Sequence, residues 1–342
     1  MQHPADIARA IGGAQAQDER AGTLAFRARS RRLTAADVTR AREEERSLVR
    51  TWAMRSTVHL LAADDLPWLL PFFEPAMEAN SRLRLEQLGM PAAKQERGLE
   101  ALRRALEAEG VLARADVVER LRGARVALDE RTRFHMFRLA TVTGIAVQGP
   151  HVGAQPSLAL ARNWLGERPA HDRDAALAEL ARRYLAAFGP ATEADFAGWA
   201  GLGLRDVRSA LGLIAAELTE LRLGERPAWT LKRRARRTPA GPIVRLLPAF
   251  DTYLMGYRDR DFFVAPELWP EIGPGGGVLR ATIVRDGVAL GTWRSPRIAG
   301  AIRVELAPFR KLDRETIAAI EAEVTDIGRF EGAAVLVSLP AK

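Results

Sequence analysis

Apolar positions recur at three- and four-residue spacing over residues 173–188, and the run stops at Gly189-Pro190, which predicts a long amphipathic helix. A short helix from Thr192 to Trp199 follows, then a turn at Gly201 to Gly203. In the next predicted helix Leu204, Val207, Leu211, Ile214 and Leu218 form an inward face, leaving Arg205 and Arg208 outward. Residues 223–231 then read as a strand pair. Thr192 with Asp195 three residues later has the spacing of a capping box. The cap recurs as Thr34 with Asp37, and Leu112-Ala113-Arg114-Ala115-Asp116-Val117 repeats its surroundings. In the first of these echoes residues 47–54 and 56–61 are expected to pair around a tight turn near Arg55. In the second, residues 131–139 read as helical and 142–147 as extended.

A capped short helix, a docked second helix and a strand pair together make a winged helix-turn-helix, whereas one echo alone would be ordinary capping in Ala-rich sequence. Three echoes predict three tandem modules over residues 1–90, 91–170 and 171–236. Beyond Arg236 the pattern turns strand-like at 243–247, 278–285, 288–293, 301–306 and 333–339, with one helix between Asp313 and Arg329. Asp286-Gly287 between two such runs is a strong hairpin signal. Residues 237–342 are thus expected to form a small β-barrel-like domain, and the class is α+β. The stretch PEIGPGGG at 270–277 reads as a surface loop and lacks the GK[ST] ending of a phosphate loop.

The 342 residues suit several modules rather than one core. The formal charge of +8 favours a polyanionic partner, although lysine occurs only at 94, 232, 311 and 342, so arginine-rich codon usage explains part of it. The absence of cysteine excludes disulfides, thiolate nucleophiles and cysteine-ligated metals. The five histidines show no metal-binding spacing, and no segment reaches the roughly 20 apolar residues of a membrane helix. No metal, cofactor or membrane contact is expected of this chain, which reads as a cytoplasmic monomer, nucleoid-associated when acting.

The segment Gly12-Gly13-Ala14-Gln15-Ala16-Gln17 resembles the Gln–apolar–Gln motif of the winged-helix DNA glycosylases of the AlkZ type. Further matches run along the chain: residues 48–60 (LVRTWAMRSTVHL), 188–192 (FGPAT), 246–254 (LLPAFDTYL), and the hairpin ending at 291–294 (GTWR). The resemblance covers nearly the whole chain, and the order of its motifs makes it specific. It implies tandem winged helices with a C-terminal β domain, binding duplex DNA that carries alkylated purines and unhooking interstrand crosslinks. It also implies Gln15 and Gln17 as catalytic residues. A related group has Asp at the second position, where this chain has Gln17. Members usually begin with another helix of the first module; with Gln15 so near the first residue, either that helix is expected to be absent or the start to be misassigned.

Glutamine is no general base near neutral pH. An N7- or N3-alkylated purine already carries positive charge, however, and leaves without protonation. The enzyme then needs to hold a water and stabilise an oxocarbenium-like sugar, which fixed amide dipoles can do. On a helix, residues two apart diverge by about 200°. The helix from Pro4 is therefore expected to stop near Gly12-Gly13, with both glutamines displayed from its frayed end and Ala16 inward. Taken without the resemblance, the pair would read as solvated helix-end residues.

Asp18 is a candidate supporting residue or a solvated acid. His59 either faces the DNA or packs against Trp52. Asp251 is expected to pair with Arg258 or Arg260 or to cap a turn. Phosphate contacts are assigned to Arg50 and Arg55, to Arg205 and Arg208, and to Arg233, Arg234, Arg236 and Arg237, a run that also reads as a linker. Arg285, Asp286 and Gly287 form a candidate lesion-probing hairpin or a plain barrel turn. A Schiff-base lyase needs an amine, and no lysine lies near Gln15, so a monofunctional enzyme is expected. The alternatives are a winged-helix transcription regulator, for which no long dimerisation helix is evident, and a non-catalytic DNA-binding scaffold.

Overall fold

The computed structural model describes residues 3–167, 171–232, 241–298 and 300–338. They form a mixed α+β fold in two compact units, one joining Met1–Thr39 to Leu177–Lys342 and the other comprising Arg40–Ala176.

In the first unit a curled half-barrel sheet forms the C-terminal part. Val244–Leu247, Thr282–Arg285, Val288–Arg294 and Ala301–Pro308 lie side by side in antiparallel order. Arg297–Ile298 and, in parallel, Val335–Ser338 also pair with Ala301–Pro308. Strand alternation sets the faces: Ile302, Val304 and Leu306 are buried while Arg303 points to solvent. Asp286 and Gly287 turn the expected hairpin with φ of 52° and 85°, the positive pair a two-residue turn requires. The helix Arg314–Glu331 covers the sheet with Ile320, Val324, Ile327 and Phe330.

The same unit contains the helix Arg173–Phe188 from its fifth residue onward, then Glu193–Ala200, Leu204–Leu213 and the hairpin Leu218–Leu223 with Arg226–Leu231. Ala191 pairs with Trp229, so the stretch before the second helix joins the last strand. Thr192 and Asp195 form the predicted capping box. Val207, Leu211 and Ile214 are buried as expected, but Leu204 is 44% exposed. It sits in the first turn, ahead of the packed stretch, and Leu218 already belongs to a strand.

The second unit opens with the hairpin Leu48–Trp52 and Val58–Ala62, turned through Met54–Ser56 with Arg55 and Ser56 both at positive φ. The helices Glu74–Gln87, Ala92–Glu109, Arg114–Gly123 and Glu130–Val142 follow. Leu112–Ala113, Ser157–Leu160 and Ala146–Gln148 form a small sheet with Ser157–Leu160 in the middle. Two expectations change here. Ala113 stands where the other echoes have threonine, so the Arg114–Gly123 helix has no side-chain cap. The Glu130–Val142 helix also runs through Val142, leaving only Ala146–Gln148 extended.

The helix Glu19–Arg27 is joined to the C-terminal elements by charge. Arg27, 1% exposed at its side chain, donates to Leu246 O at 2.8 Å and to Glu323 at 3.0 Å. Arg20 bonds Glu331 at 2.8 Å. Asp251 pairs with Arg29 at 2.7 and 2.8 Å rather than with Arg258 or Arg260, and it caps the next turn by accepting from Tyr253 N at 2.9 Å. The folding of residues 1–39 against this part of the chain brings Arg29 to it, a long-range event that local sequence does not report. Asp251→Ala leaves Arg29 without its partner and is expected to lower stability by about 3–5 kcal/mol. A denaturation midpoint shifted by far less would show that Arg29 finds water instead.

Candidate active site

The helix Pro4–Ile11 ends in a closed cap: Gly12, at φ 67°, turns its N–H back to Ala8 and Arg9. The chain then runs extended through Ala14–Gln15, so the glutamines leave from a short strand and not from a frayed helix. Ala16 is fully buried as expected, Gln15 is buried and Gln17 is exposed. Gln15 Nε2 donates to Gln17 Oε1 at 2.9 Å. The two amides thus form a coupled pair, which an extended i, i+2 spacing allows and a helix would not.

The loop is held on two sides. A Cβ at Gly12 would lie 2.5 Å from the indole of Trp199. On the other side a Cβ at Gly22 would lie 2.6 Å from Ala16 Cβ, 2.9 Å from Ala16 Cα and 3.1 Å from Gln15 O. Only glycine lets the Glu19–Arg27 helix approach the motif backbone this closely. Trp199 is fixed by an aromatic cluster, with Tyr184 stacked on Phe196 at 4.6 Å and lying 5.1 Å from Trp199. The Tyr184 hydroxyl donates to Gly256 O at 2.8 Å. Asp18 is the N-cap of the following helix, accepting from Ala21 N at 3.0 Å, so its carboxylate helps set where the loop ends. A cavity of about 660 Å³ opens beside it, lined in part by Arg20, Arg280, Trp293 and Arg294.

The other sequence candidates are distributed as follows. In the second unit His59 is buried on Val58–Ala62, facing Thr51 across the hairpin. Its Nδ1 lies 3.1 Å from Thr57 O and its Nε2 3.4 Å from Arg55 Nη2. These partners fit a neutral ring that donates through Nδ1 and accepts through Nε2. Burial, reinforced by the Arg55 charge, pushes the imidazole down to about 3, and burial pushes Arg55 down to about 10. Arg50 bonds the Gln148 side chain. In the first unit Arg205 is exposed, and exposed Arg208 pairs with Glu193 at 2.8 Å. Arg285 is held by Asp313 and Glu315, both at 2.8 Å. The turn beside it is pinned as Asp286 accepts from Ile243 N and Gly287 O from Tyr253 OH, each at 2.8 Å. Arg233, Arg234, Arg236 and Arg237 lie outside the described residues. Among the described residues no cluster suits a metal ion, and no helix is long and apolar enough to cross a membrane.

Sequence reading missed Gly22 and Trp199. A glycine inside a helical run, costing about 1 kcal/mol against alanine, was the available signal that a backbone approaches there. Trp199 is indistinguishable from any core aromatic in one sequence.

Comparison with known proteins bears on the whole chain. A family model described as DNA glycosylase AlkZ-like matches residues 8–330. The chain is 28% identical over 316 residues to the interstrand DNA cross-link repair glycosylase of Streptomyces sahachiroi, covering 84% of this chain and 80% of that one. Its fold matches the solved structure of Streptomyces sahachiroi DNA glycosylase AlkZ with a TM-score of 0.79 at 25% identity, over 98% of this chain and 94% of that one.

Two outcomes are expected. Gly22→Ala must displace the Ala16 backbone, so it should leave a cooperatively folding protein whose turnover is reduced about 100-fold; unchanged turnover would mean the pair tolerates the shift. His59 acts on stability. Its folded value of about 3 lies below the ordinary 6.5, so below pH 6.5 only the unfolded chain takes up the proton. Stability should be constant in this respect above that pH and fall on acidification by up to about 1.4 kcal/mol per pH unit. Denaturation of His59→Gln between pH 4.5 and 7 should show a flatter dependence than the parent, and parallel curves would contradict the buried neutral ring.

Proposed function

The chain belongs to the AlkZ-like DNA glycosylase family and is an enzyme of the glycosylase type, and on that premise we propose that it hydrolyses the N-glycosidic bond of N7- or N3-alkylated purines in duplex DNA and unhooks interstrand crosslinks. The observation that carries this reading is the Gln15–Gln17 hydrogen bond on a loop confined between Gly22 and Trp199. The Streptomyces relative is an interstrand DNA cross-link repair glycosylase, which supports the substrate class.

In this mechanism the purine's own positive charge makes it a leaving group, and the protein supplies position. Gln15 orients the Gln17 amide by donating to its carbonyl. A carbonyl oxygen has two lone pairs, so Gln17 Oε1 can also accept from the attacking water. Both dipoles face the developing oxocarbenium ion without prior reorganisation, because the loop is already fixed. Asp18 supports the pair by capping the helix behind it, while His59, in the second unit, serves to hold Arg55.

We assign the helix–strand–helix–helix–hairpin segments to three winged-helix modules at 1–90, 91–170 and 171–236, followed by the C-terminal domain at 237–342. The order of elements and the pairing of the first short strand with the last support this for residues 92–160 and 173–231. Arg205 and Arg208, with Arg50 and Arg55 on the first hairpin, are the proposed phosphate contacts. The exposed Arg208–Glu193 pair contributes little to stability and exchanges readily for phosphate. The rigid turn at Arg285, Asp286 and Gly287 is the proposed groove probe.

The test is release of free 7-methylguanine from methylated duplex DNA. The parent protein should release it, while Gln15→Ala and Gln17→Ala should each lose about 100-fold or more of the rate with DNA affinity nearly unchanged. Full activity in both variants would remove the pair from the mechanism.

A further inference from the structure

In the second unit the helix Glu130–Val142 buries Met136, Phe137, Leu139 and Ala140. Arg131, Phe134, His135 and Arg138 are left on another stripe by their three- and four-residue spacing. Phe134 is 52% exposed. It is not an isolated surface apolar residue, because its ring meets half-buried Trp52 edge-on at 5.9 Å and His135 at 5.1 Å. Arg138 lies over the Trp52 ring at 4.6 Å, within cation–π range. A rigid aromatic step is thus held at the surface with one ring supported from behind.

The arginines around it are not tied up in ion pairs among the described residues. Elsewhere in this unit Arg82, Arg103, Arg104 and Arg120 each hold a glutamate at 2.5–2.8 Å. Among the described residues exposed Arg131 and Arg133 form no salt bridge; Asp129, which feels the Arg131 charge, is committed to the capping box with Thr132, and exposed Glu130 beside Arg131 is in no ion pair either. Arg138 Nε and His135 Nδ1 are buried without a hydrogen-bond partner. Burial and the charges of Arg138 and Arg84 hold His135 below its ordinary range, which keeps the ring neutral beside the step. An exposed aromatic among arginines free of ion pairs suits a ligand with both a π-face and negative charge, namely an unstacked nucleobase with its flanking phosphates.

We propose that Phe134, backed by Trp52 and Arg138, is a stacking platform for a nucleobase displaced from the stack of bound DNA, with Arg131 and Arg133 holding the adjoining phosphates. This rests on the reading of the protein as a DNA enzyme and adds a nucleobase contact to it. It identifies a DNA-distorting residue outside the glutamine motif. Base–aromatic stacking is sequence-tolerant, because every base presents a π-face.

The experiment compares the full-length protein with Phe134→Ala and Phe134→Trp. Fluorescence anisotropy measures affinity for a fully paired duplex and for the same duplex with one unpaired 2-aminopurine, whose own emission reports stacking. The parent should prefer the unpaired site by about tenfold, Phe134→Ala should lose that preference while binding paired duplex normally, and Phe134→Trp should restore it. Quenching of 2-aminopurine should follow the same order. Arg131→Gln with Arg133→Gln should weaken both duplexes alike. A preference that survives Phe134→Ala, or a parent that shows none, overturns the platform. Release of 7-methylguanine by the same proteins separates the two readings. No release with the preference intact would sink the alkylpurine reading and spare the platform, whereas release with a preference indifferent to Phe134 would do the reverse.

Discussion

Arg27 is a fully buried cation whose neutralising partners come from the far end of the chain. Its guanidinium binds Glu323 and Leu246 O and reaches Asp326 at 3.3 Å, across 299 positions of sequence in the last case. Such a charge is tolerated only when paired, so the helix Glu19–Arg27 has no stable place except against the half-barrel and its covering helix. Arg20 with Glu331 and Arg29 with Asp251 extend the same constraint to both ends of that helix. Glu323 in turn accepts from Leu246 N, so the ion pair also fixes the strand it touches. The core of this unit thus closes around charges that are paired within it.

The glutamine loop inherits its precision from that helix. Gly22 lies in its middle and meets Ala16, while Trp199 closes on Gly12 from the aromatic cluster of the helices that follow residue 173. Amide dipoles are weak compared with charges, and they stabilise a transition state only if they need not reorient when it forms. In the mechanism we propose, a loop fixed from both sides by groups too close to admit a methyl meets that demand. The buried arginines and the close-packed glycine therefore belong to one device, in which strong interactions remote from the motif hold weak dipoles still.

Arginine serves two physical roles in this chain. Buried arginines paired with carboxylates, such as Arg27 and Arg29, are structural, and their charge is cancelled within the fold. Those that lack such partners, including Arg131 and Arg133, account for surface charge that net composition could only total. A charge of +8 says that cations are in excess without saying which ones remain unmatched. His59 illustrates the same division: polar by type, it is buried, neutral and used to place Arg55.

By itself the sequence determined whatever depends on neighbours within a few residues. Helix periodicity over 173–188, the Thr34 and Thr192 caps, the Asp286-Gly287 turn and the strand-like runs of the C-terminal sheet all form where their local chemistry directs. The stop at Gly12 was legible too, since a left-handed cap needs glycine. Tertiary structure alone decided the pairing of Asp251 with Arg29, the exposure of Leu204 and Phe134, and the closeness of Gly22 to Ala16. Each of these turns on which distant surface arrives opposite a residue, and charge pairing and close packing carry no signature in the residues nearby. The glutamine pair stands between the two: its spacing is written in the chain, and its hydrogen bond and extended backbone appear only in the folded loop.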